Sequence, residues 1–463
     1  MRRESIFIRY IIGVVFGLLV LAQPSYSFSP VGIQKYKENS ALNPLSIKTG
    51  ALYLSHYHQN FNQTFYSLDV KVKKDLSYGG HFVFDGFGLL KVEGDGASSY
   101  SLREMYYSNK YSSKLKYTVG RKIVNWSDLE DYLPAGFWNN AWDFNKAAPV
   151  KEGLFGAFVD YKLSKDSKVE FFVSPISIPK ATSHYKFNDD GTVKAHTLWF
   201  TPPPETVNYE GDQYAARYFL DVDIADLVLE PQIGGNFKWA NDATFVSASY
   251  LYGPSKDIDM AIDFSLNATT PDTNVDVFVL PKRVNVHKGT LEFGRKWNKN
   301  SKTTMSGSYR QRVKGLSSDI NDRESHIGTS SGGIYQIAHE QFFKDKSIHT
   351  MVHVIENTAI KNVASGELDE FLLTSLLVPF RYRRGIGGSF GYKIGSRLNA
   401  GLYGYYDTEL KGVMGDFKLQ MNFKRVNVAL GYNFVEALGA ETKEFYKDFR
   451  ENDSYHMGVS YVF

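Results

Sequence analysis

Residues 415–434 read GDFKLQMNFKRVNVALGYNF, and their alternation decides the fold. Phe417, Leu419, Met421 and Phe423 share one parity, and Asp416, Lys418, Gln420 and Asn422 share the other. After Lys424 and Arg425 the alternation resumes. Val426, Val428, Leu430, Tyr432 and Phe434 oppose Asn427, Ala429, Gly431 and Asn433. Successive strand side chains point to opposite faces, so this stretch predicts an antiparallel hairpin with one apolar and one polar face.

The same period recurs along the chain. In YSLDVKVK, Tyr66, Leu68, Val70 and Val72 oppose Ser67, Asp69, Lys71 and Lys73. KVEFFVS and MSGSYRQR repeat it. Connections alternate between short polar ones, such as LSKDSK and KIGSRL, and long ones at 126–151, 177–211, 314–331 and 436–452. Counted from Ser46, the long ones fall at one end and the tight turns at the other. Roughly 20 candidate strands have the ~9–11 residues a tilted membrane strand needs. VDVFVLPKRV and FLLTSLLVPFRYRR each hold a proline inside a strand-like run, which breaks or edges pairing. A soluble sandwich has short loops at both ends, and so large a sheet would expose two edges unless closed. The pattern predicts an all-β fold: a transmembrane antiparallel up-and-down β-barrel of about 18–20 strands.

Composition agrees. Aromatics make up 15% of the chain, with 31 Tyr and 33 Phe, as an aromatic-girdled barrel requires. With no cysteine, disulfides, a thiolate metal site and a lipoprotein anchor are excluded. A net charge of +3, with Lys and Arg dispersed, argues against nucleic acid as a partner. Arg2, Arg3 and Arg9, the apolar stretch YIIGVVFGLLVLA, and small residues before Phe28 read as a secretory signal peptide over 1–27. One barrel domain over 28–463 would follow.

The tail HMGVSYVF resembles the C-terminal signal of Gram-negative outer-membrane barrels, through His456, Gly458, Tyr461 and Phe463. That resemblance implies an outer-membrane location and recognition by the barrel-assembly machinery. Residues 119–150 resemble a Gly-Arg…Trp segment of DUF1302-type and alginate-export-type porins. The matching positions are Gly120, Arg121, Asn125, Trp126, Asn139 and Asp143, with Ser127 where those families carry Gly. This implies a porin-like protein and names no solute.

A pore needs polar side chains held rigidly at a constriction. The segment 126–150 carries Asp128, Glu130, Asp131 and Asp143 among Trp126, Trp138 and Trp142. Left in water, each large aromatic would forgo about 1.5–3 kcal/mol of burial, so the loop must pack onto something. Folding into the lumen is one solution; capping the rim or meeting a neighbouring subunit are others. Lys71, Lys73, Arg217, Arg310, Arg312, Arg381 and Arg383 sit at polar parities and are candidate wall cations. An acidic loop opposite a basic wall would set a transverse field; the plainer reading is a wide wet lumen. Arg121 falls on the apolar parity of Leu115, Tyr117 and Val119, so the band ends there or a bulge re-aims it.

Catalytic patterns are weak. His349 and His353 are four apart, about 13 Å along a strand, which is not helical zinc spacing. No cofactor, metal site or enzymatic activity is expected. The reading is a channel for passive diffusion of small hydrophilic or amphipathic solutes, with membrane lipid as partner and a homo-oligomer as an option. The alternatives are an outer-membrane enzyme or adhesin acting through its long loops, or a soluble secreted β-protein.

Overall fold

The computed structural model describes residues 45–56, 61–76, 79–93, 98–128, 137–142, 145, 149–180, 185–187, 191, 193–195, 203–209, 212–220, 224–267, 274–313, 325–329, 331–343, 348–358, 361–363, 381–395, 397–423, 425–439, 442, 444–450 and 452–462. The proposed leader 1–27, Glu130, Asp131, Asp143 and Phe463 lie outside the described residues.

An 18-stranded antiparallel sheet closes on itself. Its wall strands are β1 (Leu45–His56), β2 (Phe61–Asp75), β3 (Gly80–Glu93), β4 (Ser99–Lys110), β5 (Leu115–Lys122), β6 (Leu154–Lys162), β7 (Ser167–Ser174), β8 (Gln232–Ala240) and β9 (Thr244–Pro254). They continue with β10 (Asn285–Asn298), β11 (Ser301–Arg312), β12 (Gly332–Phe343), β13 (Ile348–Asn357), β14 (Arg384–Ile394), β15 (Leu398–Asp407), β16 (Gly412–Phe423), β17 (Val426–Ala437) and β18 (Asn452–Val462). Each strand pairs with its neighbours in sequence, and β18 returns to β1 from Ser46↔Val462 to His56↔Asn452. Closure leaves the wall no unpaired edge, the condition for strands to cross a membrane.

Alternation sorts the faces as the sequence predicts. Phe417↔Tyr432, Leu419↔Leu430 and Met421↔Val428 pair across the opening hairpin. Tyr66, Val119, Phe171, Leu291, Tyr335, Val352 and Met457 stand exposed on the outer face. A continuous apolar surface of this extent belongs in lipid rather than water. The chain is thus an outer-membrane-type transmembrane β-barrel. Eight tight turns lie at the end that holds the start of β1 and the end of β18; the long connections lie at the other. Short turns mark the periplasmic side of such barrels.

The long connections build structure of their own. Strands 206–209, 212–220, 259–267, 274–282, 325–329 and 361–363 form a second, six-stranded sheet from four different loops. VDVFVLPKRV is therefore a strand but not a wall strand: it pairs in parallel with 212–220. Val207, Ala216, Tyr218, Val275, Val277 and Val279 are buried in it. Arg283 ties two loops together, 175–231 and its own, 255–284. Its Nε donates to the Ser255 carbonyl at 2.7 Å, and its Nη1 to the Ser177 and Leu227 carbonyls at 2.5 and 2.7 Å. Burial pulls the Arg283 guanidinium down to about 10, against the pull of Glu230 and Asp257.

Candidate functional site: the lumen insert and its anchors

The lumen takes its chemistry from the inward parity. At β4 a bulge adds Arg103, so both Arg103 and Glu104 turn inward. Arg103 donates to Asp85 and to Asp69, both at 2.6 Å, across β3 and β2. Lys122 pairs with Glu170 at 2.8 Å, and Arg310 with Asp257 at 3.0 Å.

After Lys122 the chain leaves the wall and crosses the lumen. Trp126 is 2% exposed and meets Trp138 edge-on at 5.1 Å and Phe172 at 6.3 Å. Its indole Nε1 donates to Glu170 Oε1 at 2.6 Å, and its carbonyl accepts from Ser247 and Ser249 on β9. Ser127 Oγ and the Asp128 backbone N–H donate to the two oxygens of buried Glu292 at 2.6 and 2.9 Å. The Asp128 carboxylate accepts from Lys302 Nζ at 2.9 Å and lies 3.8 Å from Lys238. Lys302 is the second residue of β11, next to a tight turn, so the insert reaches well toward the periplasmic end.

The insert is braced internally. Asn139 accepts from the Val124 N–H at 2.8 Å and donates to the Val124 carbonyl at 2.7 Å, acting as a missing strand partner. Lys288 on β10 donates to the Phe137 carbonyl at 3.4 Å. The returning arm reaches the far wall, where Asn145 donates to Ser454 on β18 at 3.0 Å. Buried Arg121 and Glu152 pair at 2.8 Å where the insert rejoins the wall, and Ser101 donates to Glu152 at 2.6 Å. Arg121 thus avoids the lipid its parity implied. Gly120 precedes it at φ +123°, a backbone that L side chains rarely adopt, and an added Cβ would sit 2.2 Å from the Met105 carbonyl.

A second element enters from 438–451. Its one-turn helix Glu444–Asp448 buries Phe445 and Tyr446, followed by Phe449. They pack with Leu54, Phe65, Tyr403, Tyr405, Met414 and Val435 from the inner wall. Gly412 makes room: a Cβ there would fall 1.9 Å from the Tyr446 ring. The lumen is therefore two-sided, ionic along β2–β11 and aromatic from β13 round through β18 to the loop-side ends of β1 and β2.

Several expected positions fall elsewhere. Arg217 is not on the wall, because its strand 212–220 belongs to the loop sheet, where it lies 3.6 Å from Asp276. Arg381 and Arg383 precede β14 rather than lining a strand; Arg383 sits at the loop-side mouth, 3.2 Å from Glu409. Lys71 and Lys73 do share the inward parity of β2, with Lys71 3.8 Å from Asp85. Arg310 and Arg312 share that of β11. His456 and Gly458 face the lumen, with the His456 ring over Gly431, while Tyr461 faces outward. Trp142 lies in a short strand, 140–142, paired antiparallel with 150–152. The wall cations at Asp128 are Lys238 and Lys302, which the sequence did not single out. Nor did it mark Glu170 and Glu292 as anchors: a carboxylate on a polar strand face gives no sign that a loop will cover it.

Asp257, at the loop-side mouth, is held low. Burial pushes its carboxyl up, but Arg310, Lys180 and Lys288 outweigh that and hold it at about 2.

No family model matches the chain, and no curated protein matches it in sequence. Solved structures similar to it include OccAB1 of Acinetobacter baumannii, at 13% identity over 94% of this chain and 99% of that one, with a TM-score of 0.47. OccK2 (OpdF) of Pseudomonas aeruginosa matches at 10% identity over 90% and 96%, with a TM-score of 0.48. A loop L8 deletion mutant of OmpT, an outer membrane protein of Vibrio cholerae, matches at 8% identity over 90% and 97%, with a TM-score of 0.37.

Proposed function

We propose that this barrel is an outer-membrane channel through which small hydrophilic or amphipathic solutes diffuse passively, and that the insert 123–153 is its constriction. The observation that carries this is the anchoring of Trp126–Asp128 by inward-facing Glu170, Glu292, Lys238 and Lys302. Rigid charged groups fixed at a narrowing are what a selective pore requires. Asp128 acts there with Glu130, Asp131 and Asp143 of the same acidic segment. The wall cations Lys71, Lys73, Arg310 and Arg312 line the path.

The rest of the reading belongs with it. Residues 1–27 are the export signal, and 28–463 form the one mature domain. The tail is read by the assembly machinery, and the 120–143 segment carries the DUF1302-type and alginate-export-type likeness; a homo-oligomer stays an option beside a lone barrel. Liposome swelling tests the proposal. Vesicles holding the folded protein should swell in isotonic small sugars and amino acids, with rates falling steeply with solute size. Swelling no faster than in protein-free vesicles would refute it.

A further inference from the structure

The tight-turn rim carries a charge pattern that the channel reading does not use. KYSSK at 110–114, KLSKDSK at 162–168, RKWNK at 295–299, KIGSR at 393–397 and FKR at 423–425 all fall at that end. Each joins cationic residues to one exposed apolar side chain: Tyr111 (79% exposed), Leu163, Trp297 (58%), Ile394 and Phe423. Arg295 stacks its guanidinium over the Trp297 ring at 4.5 Å, and the Trp297 indole N–H donates to Thr303. The loop end is the reverse. Residues 175–231 hold nine carboxylates against four Lys and Arg, and 255–284 hold five against three. With a net charge of only +3, the molecule is polarised along its axis.

We propose that the tight-turn rim is a docking surface for anionic phospholipid headgroups. An apolar side chain belongs at the acyl boundary, and the cation beside it reaches the headgroup phosphate. Juxtamembrane Lys and Arg gain free energy near an anionic leaflet. Turn after turn repeats the pair, so the rim presents a ring of such contacts to one leaflet. Charge complementarity selects anionic over zwitterionic lipid. One turn is different: WANDA at 239–243 carries Asp242 and no cation, so the ring has a built-in gap. The inference rests on the barrel fold rather than on what the lumen passes, so a barrel that conducts nothing leaves it standing.

Tryptophan quenching by brominated lipid tests it. The full chain is folded into phosphatidylcholine vesicles containing either brominated phosphatidylglycerol or brominated phosphatidylcholine. Trp239→Phe leaves Trp297 as the rim reporter, and Trp297→Phe leaves Trp239, whose turn is the gap. At Trp297 the glycerol lipid should associate about fivefold more strongly than the choline lipid, falling toward parity in high salt. Substituting Arg295, Lys296 and Lys299 by Gln should remove the preference, while Trp239 should show little. Equal quenching by both lipids at Trp297 overturns the proposal. So does an equal preference at Trp239, which needs no charge variant to be read. A rim that instead gathers soluble anions would give that same lipid-indifferent result.

Discussion

Trp126→Ala removes the main apolar anchor of the lumen insert while leaving the wall sequence intact. The side chain is 2% exposed, between Trp138 and Phe172, and its N–H donates to Glu170 at 2.6 Å. Truncating a buried Trp costs about 3–5 kcal/mol, and a hydrogen bond to a charged partner about 1.5–3. These are not additive, because Glu170 keeps its Lys122 partner at 2.8 Å. A net loss of about 4 kcal/mol from docking shifts the docked-to-undocked ratio by nearly three orders of magnitude. Single-channel recording should then show a larger and noisier conductance than wild type. The variant should still run as a compact, heat-modifiable band, since strand pairing is untouched. A folded Trp126→Ala barrel with wild-type conductance and noise would refute the claim that the insert sets the narrowing.

Three further outcomes follow from the same geometry. Asp128→Asn frees Lys238 and Lys302 from their shared carboxylate, so the reversal potential in a salt gradient should move toward anion preference, by about fivefold or less for part-exposed pairs; no movement would show that Asp128 lies off the ion path. Gly120→Ala forces a Cβ against the Met105 carbonyl at an unfavourable φ, and should lower the urea midpoint of the heat-modifiable band by the equivalent of about 2 kcal/mol or more. Asp257 titrates low in the folded state, so its contact with Arg310 is fully present above the ordinary carboxyl range and is lost as pH falls from about 4 through about 2. Loop proteolysis should rise across that window in wild type, whereas Asp257→Asn should show raised cleavage already at neutral pH and no such step.

The wall was legible because its rule is local. Phe417, Leu419 and Leu430 had to leave the water-filled side, and period two alone placed them. The insert was half legible: too many aromatics in 126–150 demanded cover, but nothing in the segment named Glu170 or Glu292 as the receiving groups. Long-range partners were the hidden part. The parallel pairing of 212–220 with 274–282 joins two loops about sixty residues apart, and an apolar strand pattern looks the same in a wall as in a loop sheet. Arg217 was misplaced for that reason. Arg121 shows the opposite case. Its wrong parity was a true anomaly, and the structure resolves it with Gly120 and buried Glu152. The tail residue His456 illustrates a third limit, since a motif position assigned to assembly also faces the lumen.

The most direct test of a pore is current through a lipid bilayer. Purified full-length protein, folded and heat-modifiable, should insert into a planar bilayer in discrete conductance steps. Their size should fall when solutes that fit the narrowing are added, and rise when the Trp126 anchor is removed. A folded protein that inserts into the bilayer and passes no current would contradict the account.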